Sequence, residues 1–281
     1  MFLRRPFVLC DGPRCDFCRF TSNRYFNLLY LSMSMTSFIY GRHTVREALT
    51  LRPEIVRTVY MRDHTDNLYP VAIKQRVKTK VLNPGSLPGD LPKDSNHQGV
   101  VAEIDQALWV VPYKHYISTL DPTPDTAVAV LGEIQDPHNV GAIIRSAAAF
   151  GVSAVLIPPH RQAGVTATVA KISAGMAFRI PLVEISNVNA TIRDLQERGF
   201  WTYGLAGDEG SVSVSEERFT KPSAFVIGNE GEGLREKTRA ACDTLLKIPM
   251  HPRCESLNAS VAAAVTFQNW SQQHPTAIEL D

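Results

Sequence analysis

Three stretches of this chain set polar side chains and glycines where an apolar run gives way to a helical pattern. Ligands of open α/β sheets gather at such strand ends. The first is IQDPHNVGAIIRSAAAFGV, residues 134–152. Asn139 stands where a helix N-cap is expected, and Arg145 follows six residues later. A capped helix with a surface arginine explains the same spacing. Gly141 and the small residues Ala142, Ser146, Ala147, Ala148 and Ala149 would let this helix pack very closely against a sheet or a second subunit. The second stretch is FVIGNEGEGL, residues 225–234, with Gly228, Gly231 and Gly233 in the order G-x-x-G-x-G. Free backbone N–H groups at such a turn can hold polar ligand atoms. The order is not the dinucleotide fingerprint G-x-G-x-x-G, and no GK[ST] follows. Glu230 would repel a pyrophosphate, so a cationic or zwitterionic ligand fits better; a tight turn with an exposed glutamate is the plain alternative. The third is IPMHPRCESLNASVAAAV, residues 248–265, where Ser256 and Asn258 precede a helix of small residues. A Ser/Asn-capped helix would look the same.

Stepping outward from these stretches, strands must carry them. AVAVLG (127–132), SAVLIP (153–158), WTYGLA (201–206), SAFVIG (223–228) and LLKIPM (245–250) read as strands. Helical patterns lie between them, near 140–150, 166–177, 191–200 and 233–241, with a last helix from about 258. Alternating strands and helices predict an α/β fold with a mostly parallel sheet covered on both faces. Residues 36–106 read as a smaller α/β unit: HTVREALTL a helix, RTVYMR a strand, NLYPVAIKQRVKTK a second helix, HQGVVAEI a returning strand. NPGSLPGDLPKDSN between the last two is turn-rich. Residues 107–124 hold three prolines and read as a linker, and residues 125–281 as the larger domain. Residues 1–35 lack a steady period and read as an extension, whether an over-long gene start, a flexible tail or an arginine-rich transit peptide; Asp11 and Asp16 count against the last.

Composition narrows the classes. The chain is 44% apolar and 20% charged, as a globular protein is. No apolar run approaches the roughly 20 residues of a membrane helix. The net charge of +1 announces no nucleic-acid binder, but residues 1–35 carry net +3, residues 36–106 net +2 and residues 107–281 net −4. Any grip on a polyanion belongs to local patches in the N-terminal half. Cys10, Cys15 and Cys18 form C-x4-C-x2-C without a fourth ligand close by, so no metal is expected. Cys242 and Cys254 read as reduced thiols of a cytoplasmic protein.

Taken together and in this order, DPHNVGAIIRSA, IGNEGEGL and IPM…ESLNASVAAA resemble the three signature motifs of the SpoU/TrmH branch of the SPOUT RNA 2'-O-ribose methyltransferases. AKISAGMAFRIPLVEISN is similar to that family's segment between motifs one and two. Residues 38–105, opening IYGRHTVREAL, resemble the small substrate-binding domain of bacterial large-subunit (23S-type) rRNA guanosine 2'-O-methyltransferases. The resemblance covers about 230 of the 281 residues. It implies a trefoil-knotted, mostly parallel α/β sheet, a homodimer with its active site near the subunit interface, S-adenosylmethionine as cofactor and ribosomal RNA as substrate. By the same resemblance Asn139, Arg145, Glu230, Ser256 and Asn258 are the catalytic set. Gly228, Ile248, Met250 and Leu257, with Leu205 and Gly207 nearby, are the cofactor set. HPRC (251–254) is bulkier and more basic than the family's usual residues there. A free guanidinium keeps its proton, so Arg145 is expected to clamp an RNA phosphate and stabilise alkoxide charge rather than act as a base. Arg42, His43 and Arg46, and the run Lys74, Arg76, Lys78 and Lys80, are candidate phosphate contacts; for the run, a solvated helix face is the alternative. Rival readings are a tRNA 2'-O-methyltransferase, a non-catalytic ribosome assembly factor of the same fold, and a dehydrogenase-like enzyme, which the glycine order disfavours.

Overall fold

A computed structural model describes residues 36–83, 87–89, 91, 95–208 and 210–279. The cysteine cluster Cys10, Cys15 and Cys18 and the reading of residues 1–35 lie outside the described residues.

Two sheets divide the fold. The smaller is built by β1 (Thr36–Tyr40), β2 (Val56–Met61), β3 (Lys78–Val81) and β4 (Val100–Asp105), in the order β1-β4-β2-β3. Only the β2–β3 pair is parallel. α1 (Arg42–Leu51) buries Val45, Ala48 and Leu49, the spacing the sequence showed, and α2 (Tyr69–Lys74) is a single short helix. Here the structure departs from expectation. The stretch 67–80 is not one helix: Arg76 takes a left-handed φ of 58° that ends α2, and Lys78–Val81 becomes an edge strand. Its pattern of exposed Lys78, half-buried Thr79 and exposed Lys80 is a strand's alternation, too short to stand out.

Residues 107–124, read as a linker, are folded. α3 (Gln106–Trp109) leads into β5 (Val110–Pro112), which pairs with the large sheet, and then α4 (Tyr113–Thr119). Trp109 is 1% exposed, stacks on Phe178 at 5.1 Å and donates its indole N–H to Ala177 O at 2.9 Å. Trp109→Ala is expected to cost about 3–5 kcal/mol, seen as a fall in the urea midpoint.

The larger sheet adds β6 (Ala127–Leu131), β7 (Ala154–Ile157), β8 (Leu182–Glu184), β9 (Trp201–Leu205), β10 (Val212–Ser213), β11 (Ser223–Ile227) and β12 (Thr244–Lys247). Its order is β10-β12-β9-β11-β6-β7-β8-β5, and every pair is parallel. β6 and β11 are buried at all five positions, as strands covered on both faces must be. Along β6 the faces alternate. Ala127, Ala129 and Leu131 join one core with α5 (Pro137–Ala149), α6 (Ala167–Ile172) and α9 (Ala259–Gln273). Val128 and Val130 join another with α4 and α7 (Val188–Glu197). The short α8 (Glu236–Ala241) packs on α7. The strand order reverses between β6 and β11: from β6 the chain runs outward through β7 and β8, then returns on the far side of β11. That reversal opens a crevice past the carboxyl ends of the strands, where ligands of such sheets bind.

Candidate active site

All three motif loops leave the carboxyl edge beside this reversal. α5 is capped by Asp136, whose carboxylate accepts from His138 N at 2.8 Å, with Pro137 in the first turn. Asn139 is therefore not the N-cap expected of it. It sits inside the first turn, 8% exposed, with its amide free for other work. That amide donates to Glu230 Oε1 at 2.5 Å and accepts from Asn258 Nδ2 at 2.9 Å. Asn258 does cap its helix: its Oδ1 accepts from Ser260 N at 2.9 Å and Ser260 Oγ at 2.6 Å. The cap fixes the relay's direction. Because Asn258 must present oxygen to α9, its NH2 faces Asn139, whose own NH2 must then face the carboxylate. One residue from each motif thus joins the chain Asn258, Asn139, Glu230.

The glycine loop owes its shape to a residue the sequence reading passed over. Asn229 exchanges two 3.0 Å backbone hydrogen bonds with Gly233 and accepts from Gly231 N at 2.9 Å. Its amide donates to Glu133 O at 2.9 Å, fastening the loop to the exit of β6. An Asn two residues before a Gly is a turn signal that could have found it. Glu133 holds a left-handed φ of 65° and pairs with Arg235 at 2.8 Å; such a conformation costs on the order of 1–3 kcal/mol in a non-glycine residue. Gly228 admits no side chain, because a Cβ there would lie 2.4 Å from the carbonyl carbon of Gly233.

These loops enclose a cleft of about 310 Å³. Leu205, Gly207, Gly228, Ile248, Met250 and Leu257, the six residues expected around a cofactor, all line it, as do Glu230 and Ser256. Ala206, Ile227, Leu246 and Lys247 at strand ends, and Ala259 and Ala262 on α9, also line it; none carried a separate signal as a ligand contact. Three acids, Glu230, Glu232 and Glu255, face one base, Lys247, across the lining. Asn139 and Asn258 reach the cleft through Glu230. Arg145 lies elsewhere: it is exposed on α5, outside the lining, with no hydrogen bond or ion pair among the described residues. It shares the outward stripe of α5 with His138, Ala142 and Ala149. The exposed Val261 lies on α9, the helix packed beside α5.

The three candidate phosphate contacts on α1 have partners within the protein. Arg42 binds Asp66 through two hydrogen bonds of 2.7 and 2.8 Å and Asn67 at 2.7 Å. Arg46 reaches Asn67 at 3.2 Å. His43 Nε2 lies 3.0 Å from Ala174 O, in the larger domain. The exposed HPRC run forms a turn closed by Cys254 N donating to His251 O at 2.8 Å. Burial, then the neighbouring Asp243, pushes the Cys242 thiol up to about 12, so it stays protonated; Cys254 is exposed. Among the described residues no cluster of His, Cys, Asp or Glu could hold a metal, and no helix is long and apolar enough to cross a membrane.

The family model described as the SpoU rRNA methylase family matches residues 126–268. A second, described as RNA 2'-O ribose methyltransferase substrate binding, matches residues 38–109. The chain is 36% identical over 238 residues to the 23S rRNA (guanosine-2'-O-)-methyltransferase of Vibrio vulnificus, covering 81% of this chain and 93% of that one. It is 47% identical over 177 residues to the protein of the same description from Xanthomonas campestris, covering 61% and 68%. Among solved structures, the SpoU methyltransferase of Streptomyces viridochromogenes in complex with AdoMet superposes with a TM-score of 0.71 at 22% identity, covering 93% of this chain and 97% of that one. An AdoMet-bound rRNA methyltransferase from Sinorhizobium meliloti gives 0.68 at 22% identity, covering 84% and 87%. At that identity the likeness speaks for the fold.

Proposed function

The chain belongs to the SpoU rRNA methylase family, and from that premise we propose that it transfers a methyl group from S-adenosylmethionine to the 2'-hydroxyl of a guanosine ribose in large-subunit ribosomal RNA. The observation that carries the reading is the relay Asn258, Asn139, Glu230 at the cleft of the strand-order reversal.

The cleft suits this cofactor on its own chemistry. Three carboxylates against one ammonium favour a cation over a phosphate-bearing nucleotide. Gly228 keeps backbone open for close approach, while Leu205 and Met250, the latter 38% exposed, offer apolar cover for a base. When bound, the sulfonium supplies an electrophilic methyl. The residues supply position and charge. Asn139 and Asn258 are locked against rotation by their mutual bond and by the cap, so their remaining N–H groups are preorganised to hold the ribose. Glu230 accepts from Asn139 with one oxygen and places negative charge on the cleft wall. Arg145 cannot take the hydroxyl proton, which leaves to the adjacent RNA phosphate or to water; the guanidinium holds that phosphate and offsets the negative charge growing on the attacking oxygen.

The reading extends to a trefoil knot and a homodimer, both of which family membership implies. The second chain covers the outward stripe of α5 and α9, where Ala142, Ala149 and Val261 leave a smooth surface around Arg145.

Asn258→Asp keeps an oxygen for the cap and removes the donor to Asn139. Its single-turnover rate is expected to fall about 10²-fold with the thermal midpoint nearly unchanged, whereas Asn258→Ala also loses about 1 kcal/mol of cap stability.

The function is tested by incubating the purified full chain with methyl-labelled S-adenosylmethionine and separate ribosomal and transfer RNA pools, then mapping alkali-resistant linkages. Label at a guanosine of large-subunit RNA is the expected result. Label confined to transfer RNA favours the rival substrate, and none in either pool overturns the reading.

A further inference from the structure

α1 of the small domain carries two side-chain pairs at i, i+4 spacing, one residue apart around the helix. Arg42 and Arg46 hold Asp66 and Asn67 within their own domain. His43 and Glu47 turn instead to the larger domain. His43 Nε2 meets Ala174 O at 3.0 Å, and Arg179 donates to Glu47 Oε2 at 2.8 Å, with the Glu47 side chain 15% exposed. Ala174 and Gly175 between them adopt left-handed φ of 51° and 81°, and a Cβ on Gly175 would stand 2.6 Å from Glu47 Cγ. The backbone here is shaped to receive α1. Beside these contacts lies an open gap of about 280 Å³ lined by His43, Glu47, Met176 and Arg179. Two polar contacts and the close approach of Gly175 to Glu47 thus hold this face of α1, beside the buried apolar cluster that Val45, Ala48 and Leu49 share with Ala177 and Phe178. The domains also meet where Lys171 lies over the Tyr40 ring at 5.3 Å with Ala167 packed beside it, and where Lys171 donates to Asn96 O at 3.4 Å.

The receiving segment leads straight to the relay. Residues 174–179 follow α6, and α6 packs so tightly on α5 that a Cβ on Gly141 would lie 2.6 Å from Ile172 Cβ. Gly141 is two residues from Asn139.

We propose that His43, Glu47 and Arg179 form a latch that fixes the span between the RNA-gripping small domain and the reacting ribose, which makes them positioning residues that determine which nucleotide is methylated. The inference rests on the RNA methyltransferase reading above. An enzyme that grips RNA at one place and reacts at another needs a rigid spacer, since a displacement of about 1 Å at the reacting centre can cost on the order of 10²-fold in rate. His43 thereby serves the domain interface rather than a phosphate.

The test is a reciprocal charge exchange in the full chain: Glu47→Arg, Arg179→Glu, and both together. Three readouts are needed: S-adenosylmethionine affinity, hydrogen exchange across residues 173–179, and the ratio of methylation at the target ribose to that at other riboses of the same RNA. Each single variant is expected to keep its cofactor affinity, to exchange faster at 173–179, and to lose roughly tenfold or more in site ratio; the double variant should regain most of it. Single variants that exchange faster yet keep full selectivity would overturn the proposal, as would unchanged exchange or a double variant no more selective than the singles. If the unaltered chain methylates no RNA, the functional reading fails by itself, and the exchange data still report whether the latch exists.

Discussion

An Arg145→Ala chain is expected to bind S-adenosylmethionine with unaltered affinity and to lose methyl transfer by about 10³-fold or more. The separation of effects follows from its place. Arg145 stands exposed on α5, outside the cleft lining and without a hydrogen bond or ion pair among the described residues. Truncating such a side chain removes no packing and leaves no buried partner, so stability should change by less than about 0.5 kcal/mol. On the proposed reading, this unpaired charge meets an RNA phosphate that the single chain lacks. A guanidinium on a phosphate and a developing alkoxide supplies stabilisation that matters mainly in the transition state, and loss of one such donor costs about 10²–10³-fold in rate even where it is a neutral amide. Arg145→Lys should recover little, because an ammonium lacks the planar fork that grips phosphate at two points. Calorimetry for the cofactor and single-turnover transfer for the chemistry read the two effects separately; an active Arg145→Ala enzyme would remove Arg145 from the site.

The second large effect belongs to Gly228. Gly228→Ala puts a methyl group 2.4 Å from the Gly233 carbonyl carbon and 2.5 Å from Leu234 N. Both neighbours are backbone, and the loop cannot yield without breaking the paired Asn229–Gly233 bonds or the tie from Asn229 to Glu133. Glu230 hangs from the same turn, so the relay is displaced as well. Loss of S-adenosylmethionine affinity by about 100-fold or more, near 2.7 kcal/mol, is expected. Gly231→Ala is the comparison: the nearest atom to its Cβ would be Asn229 Oδ1 at an ordinary 3.6 Å, so its loss should be far smaller. Equal losses from the two would mean that close backbone approach at Gly228 is not what shapes the cleft. Mixing Arg145→Ala chains with Gly228→Ala chains asks a further question. Activity returns only if one subunit's arginine serves the other's cleft.

What the sequence disclosed and what it hid divide along the range of the interactions. AVAVL and SAFVI were legible as buried strands because burial on both faces leaves a nearly unbroken apolar run, with Ser223 alone as a polar position. Gly228 and Asn258 were legible because turns and caps are local. Asn139 was misread as a cap for the same reason: Asp136 does that work, while the partner that defines Asn139, Glu230, lies 91 residues away. His43 looked like a phosphate contact from its place between Arg42 and Arg46, and only the fold brings Ala174 to it across 131 residues. Residues 107–124 looked structureless because Val110–Pro112 is a strand of three residues completed by β8, and the anchoring of Trp109 needs Phe178. The strand Lys78–Val81 shows too little alternation to compete with the helix before it.

The place of β11 has a consequence for how the protein is made. It lies between β9 and β6, both of which precede it in the chain, and the relay is closed only by Asn258 beyond it. A nascent chain leaving the ribosome therefore holds a gap in its largest sheet until residues 223–227 arrive, and the pairing that closes it on the β6 side joins Ser223 to Ala127 across a long stretch of sequence. Such non-local closure is slow. Truncated translation products stopping before the last helix carry α1, α5 and even the glycine loop without Asn258, so on the proposed reading only chains that have reached α9 hold the closed relay.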